Sequence, residues 1–322
     1  MRLLGILVAV AANLAPISAQ AREFHSSDVQ PSDYPTVQAV AYMGKLIRER
    51  TSGRYSISAL GQDSQNSENF TIAEVRNGML DMARVNVSPF NSTVSATIVP
   101  SLPFLFKSTA HTRRVLDGPI GEEILAALES QGFVGLCFYD TGARSFYSTN
   151  KPIRSAADMK GMNVRIPQSR IWVTMMQALG AKATPMSHNQ VYAALAGGTI
   201  DAAENNLPAY AASRHYEAAK IYSLTEYTVG PSVLIFSKRV WDTLSQEDQA
   251  IIRAAAKESV PYMRKLWVER EALARRTVEA AGAQIITDVD KKSFSDILAP
   301  LHSVLLPDPR LQAMVKRIKA AE

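Results

Sequence analysis

From Phe24 onward, short runs rich in β-branched and aromatic residues alternate with segments whose apolar residues recur at helical spacing. That alternation predicts layered α/β architecture rather than a β-sandwich or a helical bundle. Val37, Val40, Ala41, Met43, Gly44 and Ile47 fall on one face of a helix predicted over residues 37–50, which Thr51, Ser52 and Gly53 end. Tyr55 to Leu60 then reads as a strand. Ser155 and Asp158 have the spacing of a capping box before a short helix closed by Gly161, after which residues 162–166 alternate as a strand ending at Pro167. Arg165 is thereby placed near the carboxyl end of a strand.

A weak internal repeat gives the pattern a larger meaning. The segment Asn77 to Asn86 (NGMLDMARVN) resembles Gly197 to Asn206 (GGTIDAAENN). In both, a predicted helix (residues 72–76 and 191–196) meets a glycine stop at Gly78 or Gly198. A short apolar strand then starts at Asp81 or Asp201 and runs into a polar loop at Asn86 or Asn206. Two such units predict two similar lobes, each pushing a polar loop from the carboxyl end of a strand toward a shared crevice, where open α/β sheets hold ligands. A further capping box, Ser245 with Asp248, opens a long stretch with apolar residues at helical spacing up to Gly282. Pro261 removes one backbone donor from it, which predicts one long kinked helix or two abutting helices lying across both lobes.

Composition narrows the class. The chain has 322 residues, 47% hydrophobic and 20% charged, a globular make-up long enough for one large or two medium domains. Its single cysteine, Cys137, excludes an intrachain disulfide and a cysteine-rich zinc site, and reads as a buried strand residue. The net charge of +5 comes from 35 basic and 30 acidic residues that interleave. In the densest basic stretch, Arg264, Lys265, Arg270, Arg275 and Arg276 alternate with Glu269, Glu271 and Glu279, a solvated helix face rather than a nucleic-acid stripe. Mild positive charge does favour anionic small molecules.

The first residues read as a leader. Arg2 is the only charge before residue 22, Leu3 to Ala12 is apolar but for Gly5, and Ala19, Gln20 and Ala21 form a small-x-small cleavage pattern. The expectation is a signal peptide over residues 1–21, cut after Ala21, and a free periplasmic protein with no cysteine at the cut to carry a lipid. Beyond it, no apolar run approaches the roughly 20 residues needed to cross a bilayer.

No nucleophile-elbow, P-loop, dinucleotide or zinc-protease motif is present, and the five histidines are scattered without metal-ligand spacing. Binding rather than catalysis is expected, with no metal or cofactor. What the sequence offers is a pair of arginines, Arg144 and Arg165, each in a short strand segment. A guanidinium fork matches a carboxylate bidentately and stays charged, so it suits capture of an organic acid.

The segments containing Arg144 (GARSFY, 142–147), Arg165 (DMKGMNVRIP, 158–167), His188 (ATPMSHNQVYAAL, 183–195) and Asn205 (GTIDAAENN, 198–206) occur in an order that resembles the DctP-type extracytoplasmic solute-binding proteins of tripartite ATP-independent periplasmic (TRAP) transporters. The likeness is dense over 142–228 and looser from Phe24 to about Gly282. It implies an α/β, two-lobe, Venus-flytrap receptor with a long helix spanning both lobes, which closes on an organic acid and delivers it to a membrane permease, acting as a monomer. The lobes are expected to comprise 22–141 with 230–269, and 142–229 with 270–322. The resemblance further implies that Arg165 makes the carboxylate salt bridge, that Arg144 assists it or binds another ligand group, and that Asn205 faces the ligand. Asn86, His188, Ser26, Ser67 and Glu68 would line the rest of the pocket. With Gln168 and Asn206, this set is rich in hydroxyl-compatible donors and acceptors. A polyhydroxylated acid suits it best, a hexuronate such as glucuronate or galacturonate. A C4-dicarboxylate or other carboxylate, and a secreted enzyme acting on acidic sugars, are the alternatives.

Overall fold

The computed structural model describes residues 21–61 and 67–321. The predicted leader, except Ala21, lies outside the described residues, as do Gln65 and Asn66 beside Ser67. Among the described residues eleven strands form two sheets. They are β1 (Arg22–Asp28), β2 (Tyr55–Gly61), β3 (Met82–Asn86), β4 (Phe133–Tyr139), β5 (Ala143–Ser148), β6 (Asn163–Ile166), β7 (Lys182–Pro185), β8 (Ala202–Asn205), β9 (Ile221–Val229), β10 (Ser232–Ser237) and β11 (Gln284–Ile286). The first sheet has the order β2-β1-β3-β10-β4 and the second β11-β9-β5-β8-β6-β7.

Read from its β7 edge, the second sheet repeats the first. β6 runs parallel to β7 and β8 as β1 does to β2 and β3, and β5 is antiparallel to β8 and β9 as β10 is to β3 and β4. In each lobe the antiparallel strand is the one that has just crossed from the other lobe. The repeat is thus a structural one. Gly78 (φ 75°) and Gly198 (φ 67°) take the left-handed backbone that ends each helix, a conformation other residues resist. Asp81 Oδ2 accepts from the backbone N–H of His25 in β1 at 2.9 Å, and Asp201 Oδ2 accepts from that of Asn163 in β6 at 2.7 Å. Each aspartate ties the start of its own strand to the neighbouring parallel strand.

Successive strand residues feed two cores, because side chains alternate across a sheet. Val233 and Ile235 pack on one face of the first sheet with Phe90 and Phe133, while Leu234 and Phe236 pack on the other with Phe24 and Met43. In the second sheet Phe146 and Tyr147 divide in the same way. Helices cover both faces, so each sheet is an interior layer. Helix Pro35–Arg50 lies so close to β2 that a Cβ on Gly44 would sit 2.9 Å from Ile57 Cβ.

The predicted long element is one helix, Gln246–Ala280, with Pro261 inside it. Its Ile252, Met263 and Trp267 pack with Phe24, Val37 and Leu136 of the first lobe, and Ala274 and Val278 with Tyr147 and Tyr210 of the second. It braces both. The expected assignment of 270–322 to the second lobe does not extend to the last helix, Pro309–Ala320. Leu311, Met314 and Ile318 pack with Ile72 and Val99 in the core of the first. Among the described residues no helix is long and apolar enough to cross a membrane, and Cys137 is a buried residue of β4.

Candidate ligand-binding site

A cavity of about 270 Å³ opens between the lobes at the carboxyl ends of β3, β6 and β8. That is just under the span of about 300–1,000 Å³ typical for drug-sized ligands, and it suits a smaller molecule. Its lips touch. Asn69 Nδ2 donates to Gln168 Oε1 at 2.7 Å, and the buried Asn91 Nδ2 donates to Ser169 Oγ at 3.0 Å, so the cleft is closed.

Arg165 lines this cavity at 4% exposure. Its neighbours Val164 and Ile166 belong to the core of the second lobe, so the strand pleat turns the arginine the other way, toward the cleft. One edge of its guanidinium is held by the carbonyl of Met186, to which Nε donates at 3.0 Å and Nη2 at 2.7 Å. Among the described residues no carboxylate lies within ion-pairing distance of it. Burial lowers its pKa, opposed in part by the charge of Glu204, but an arginine stays protonated in a protein. The result is a buried cation with no acidic partner and, at Nη1, no hydrogen-bond acceptor among the described residues.

Arg144 also lines the cavity, and its situation is different. Nε donates to Glu204 Oε2 at 2.5 Å and Nη2 to Oε1 at 2.7 Å, with a further bond of 3.1 Å from Nη2 to the Glu204 carbonyl. Tyr227 O–H donates to the same carboxylate at 3.0 Å. Burial alone would lower the Arg144 pKa, but the Glu204 charge and hydrogen bonds raise it. Its charge is already balanced, so the two arginines are not equivalent.

The first lobe carries the mirror arrangement, which sequence reasoning missed. Arg84 lines the cavity and pairs with the buried Asp28 through Nε at 2.8 Å and through Nη2, while Nη1 donates to Ser232 Oγ at 3.2 Å. Asp28 is held in turn by Thr36 Oγ1 at 2.6 Å and the Gln30 N–H at 2.9 Å. In the repeat Arg84 occupies the position of Glu204. Each lobe therefore places one charge of a buried pair at the same point of its third strand, with opposite sign.

The remaining expected residues divide. Glu68 and Asn86 line the cavity joined to each other, Glu68 Oε1 accepting from the Asn86 backbone N–H at 3.0 Å and from Nδ2 at 2.8 Å. Asn205 and Asn206 line it with their carbonyl oxygens engaged, one by the Asn206 N–H and the other by the N–H of Ala209 at the start of helix Leu207–Ala212. Among the described residues neither Nδ2 group has an acceptor. Ser67 lines the cavity while its hydroxyl caps helix Glu68–Asn77, and Gln168 reaches it from the lip. Ser26 does not line it. That residue is buried within β1 opposite Ala59 and Met82, and the cleft begins past the strand end, at Val29 and Gln30.

His188 lines the far wall beside a second histidine, His215, with ring centres 5.5 Å apart. Its Nε2 shares a hydrogen with Ser213 Oγ at 2.9 Å, and His215 Nδ1 lies 2.8 Å from the Tyr147 hydroxyl. Burial raises the Tyr147 pKa, so that hydroxyl keeps its proton, and the His215 tautomer sets which of the two donates. Burial, the other ring and Arg165 hold His188 well below the usual histidine value, and burial with Arg165 holds His215 at about 3. Both rings are neutral hydrogen-bonding surfaces. Nothing in the spacing of the histidines marks His215.

Two braced lobes closing on a buried, unpaired guanidinium among neutral polar groups define a receptor for a small anionic solute. The chain belongs to the DctP family, described as bacterial extracellular solute-binding protein, family 7, whose pattern matches residues 26–306. A TRAP periplasmic solute-binding protein from Bradyrhizobium sp. BTAi1, solved with α/β-D-galacturonate, is 51% identical, with a TM-score of 0.91 over 93% of this chain and 100% of that one. One from Roseobacter denitrificans, with bound β-D-glucuronate, is 35% identical, with a TM-score of 0.89 over 94% and 100%. A solute-binding protein of Chromohalobacter salexigens is 34% identical over 99% of this chain and 95% of its own length.

Proposed function

We propose that this chain captures a hexuronate in the periplasm, galacturonate or glucuronate, and hands it to the permease of a TRAP transporter after its leader has been removed at Ala21. The observation that carries the reading is Arg165, a buried cation held on one edge by a neutral carbonyl and without a carboxylate partner among the described residues. A sugar carboxylate fits a guanidinium fork bidentately. The Nδ2 groups of Asn205 and Asn206 donate to hydroxyl oxygens, Glu68 accepts from hydroxyls, and His188 and His215 read the far side of the ring. The likeness to proteins solved with galacturonate and glucuronate supports the same ligand class.

The acid docks first on the lobe carrying Arg144 and Arg165, and Arg84, Asn86 and Glu68 of the first lobe complete its surroundings as the hinge closes. Closure excludes water, and the carboxylate then compensates a charge that burial otherwise disfavours. Arg144 contributes by position and by its remaining N–H groups rather than by unpaired charge. Release needs the lips at Asn69–Gln168 and Asn91–Ser169 to part, which a permease docking across both lobes would bring about.

Thermal-shift screening against organic acids, followed by calorimetry, tests this directly. Saturable stabilisation by hexuronates, without their consumption, is the expected result. Consumption of the acid points to an enzyme, and the absence of stabilisation by any hexuronate at millimolar concentration overturns the proposal.

A further inference from the structure

The charges lining the cavity reach past the choice of sugar to the number of carboxylates the ligand carries. Among the described residues four charged side chains line it, Arg84, Arg144, Arg165 and Glu68. Arg84 is matched by Asp28 and Arg144 by Glu204. What remains is one free cation on the second lobe, Arg165, and one carboxylate on the first, Glu68. Glu68 makes no ion pair among the described residues. Both of its partners there, the N–H and Nδ2 of Asn86, end on Oε1, so among the described residues Oε2 has no donor. The carboxylate is the first residue of helix Glu68–Asn77, where the N-terminal dipole favours a negative charge. The two histidines of the far wall, kept neutral by burial and Arg165, add no charge to the cavity.

We propose that Glu68 is a charge filter that restricts the site to acids with a single carboxylate. One anionic head satisfies Arg165, and the part of the ligand that meets Glu68 must bring hydroxyl donors. Polyhydroxy monoacids meet both demands. An aldarate, the sugar diacid with a carboxylate at each end, places its second charge against Glu68 in a closed, water-poor cleft, as does an extended short dicarboxylate. Like charges at such range are strongly repelled, and rejection by an unfavourable contact is a direct route to specificity. This rests on the reading of Arg165 as the carboxylate anchor.

The test is calorimetry on the purified protein with galacturonate, galactonate and galactarate. The last two are both open chains and differ in having one carboxylate or two. Galactarate is expected to bind roughly a hundredfold or more weaker than the best monoacid. Glu68→Gln, which keeps an acceptor for Asn86 and loses the charge, should strengthen galactarate binding at least tenfold. Glu68→Ala is read in the same way where the glutamine variant fails to fold. Wild-type protein that binds galactarate within tenfold of galactonate overturns the filter, as does a folded charge-free variant with no gain for galactarate. If galacturonate still binds in those cases, the receptor reading stands without the filter. If no uronate binds at all, both fall.

Discussion

Arg165 spends one edge of its guanidinium on the carbonyl of Met186, through Nε at 3.0 Å and Nη2 at 2.7 Å, and so presents its other end squarely to the cleft. The bond orients the fork but cannot neutralise it. Arg165→Ala should therefore weaken hexuronate binding by about tenfold to a thousandfold, the range set by losing charge-assisted bonds to a buried carboxylate. Arg165→Lys should recover only part of this, because an ammonium keeps the charge and loses the planar fork. Calorimetry on folded variants checks both, and full affinity in Arg165→Ala contradicts the anchor.

The other arginine should behave as part of the scaffold. Glu204→Gln leaves Arg144 buried without a counter-charge, and such breakage costs about 3–5 kcal/mol of stability. Denaturant unfolding of Glu204→Gln measures that loss. A variant as stable as the wild type would show that Arg144 finds its compensation elsewhere.

Acid should destabilise the protein through its paired histidines. Unfolding returns each ring to a pKa near 6.5, whereas in the folded chain His188 lies well below that value and His215 at about 3. As the pH falls below about 6.5 the unfolded chain gains protons that the folded one does not, so stability present above that pH is lost progressively toward pH 3. The slope reaches about 1.4 kcal/mol per pH unit for each ring. Other groups titrate here too, so the informative quantity is a difference. A folded His188→Gln/His215→Gln variant should show a shallower fall of unfolding free energy between pH 6.5 and 4, and an unchanged slope removes the histidines from the account.

Cys137 should be inert in the native protein. Burial pushes its thiol up to about 12, and reactivity follows the thiolate. An aromatic disulfide reagent should release no chromophore from native protein at pH 8 and one equivalent after denaturation. Prompt native labelling would mean that β4 opens readily.

Much of the scaffold was legible because glycine, aspartate and asparagine in the repeat do backbone work. Gly78 and Gly198 end helices, and Asp81 and Asp201 tie neighbouring strands. Arg84 was not legible, since a charged residue in a strand resembles a surface residue until its partner is known, and Asp28 stands 56 positions away. A similar separation hid Glu204 from Arg144, 60 positions earlier, and made two arginines look alike. His215 acquires its role only through contact with Tyr147 and His188, which no local pattern records. Ser26 was misjudged by the length of one strand: the loop after β1, not the strand, reaches the cleft.

The insertion of β10 between β3 and β4 governs the order in which the molecule can be assembled. A chain that emerges end-first, from a ribosome or through a membrane pore, has β1 to β4 available long before residue 232, yet β4 has no neighbour in its sheet until β10 arrives. Most of the polypeptide must appear before either half can mature, which favours a long-lived unfolded transit over piecemeal folding.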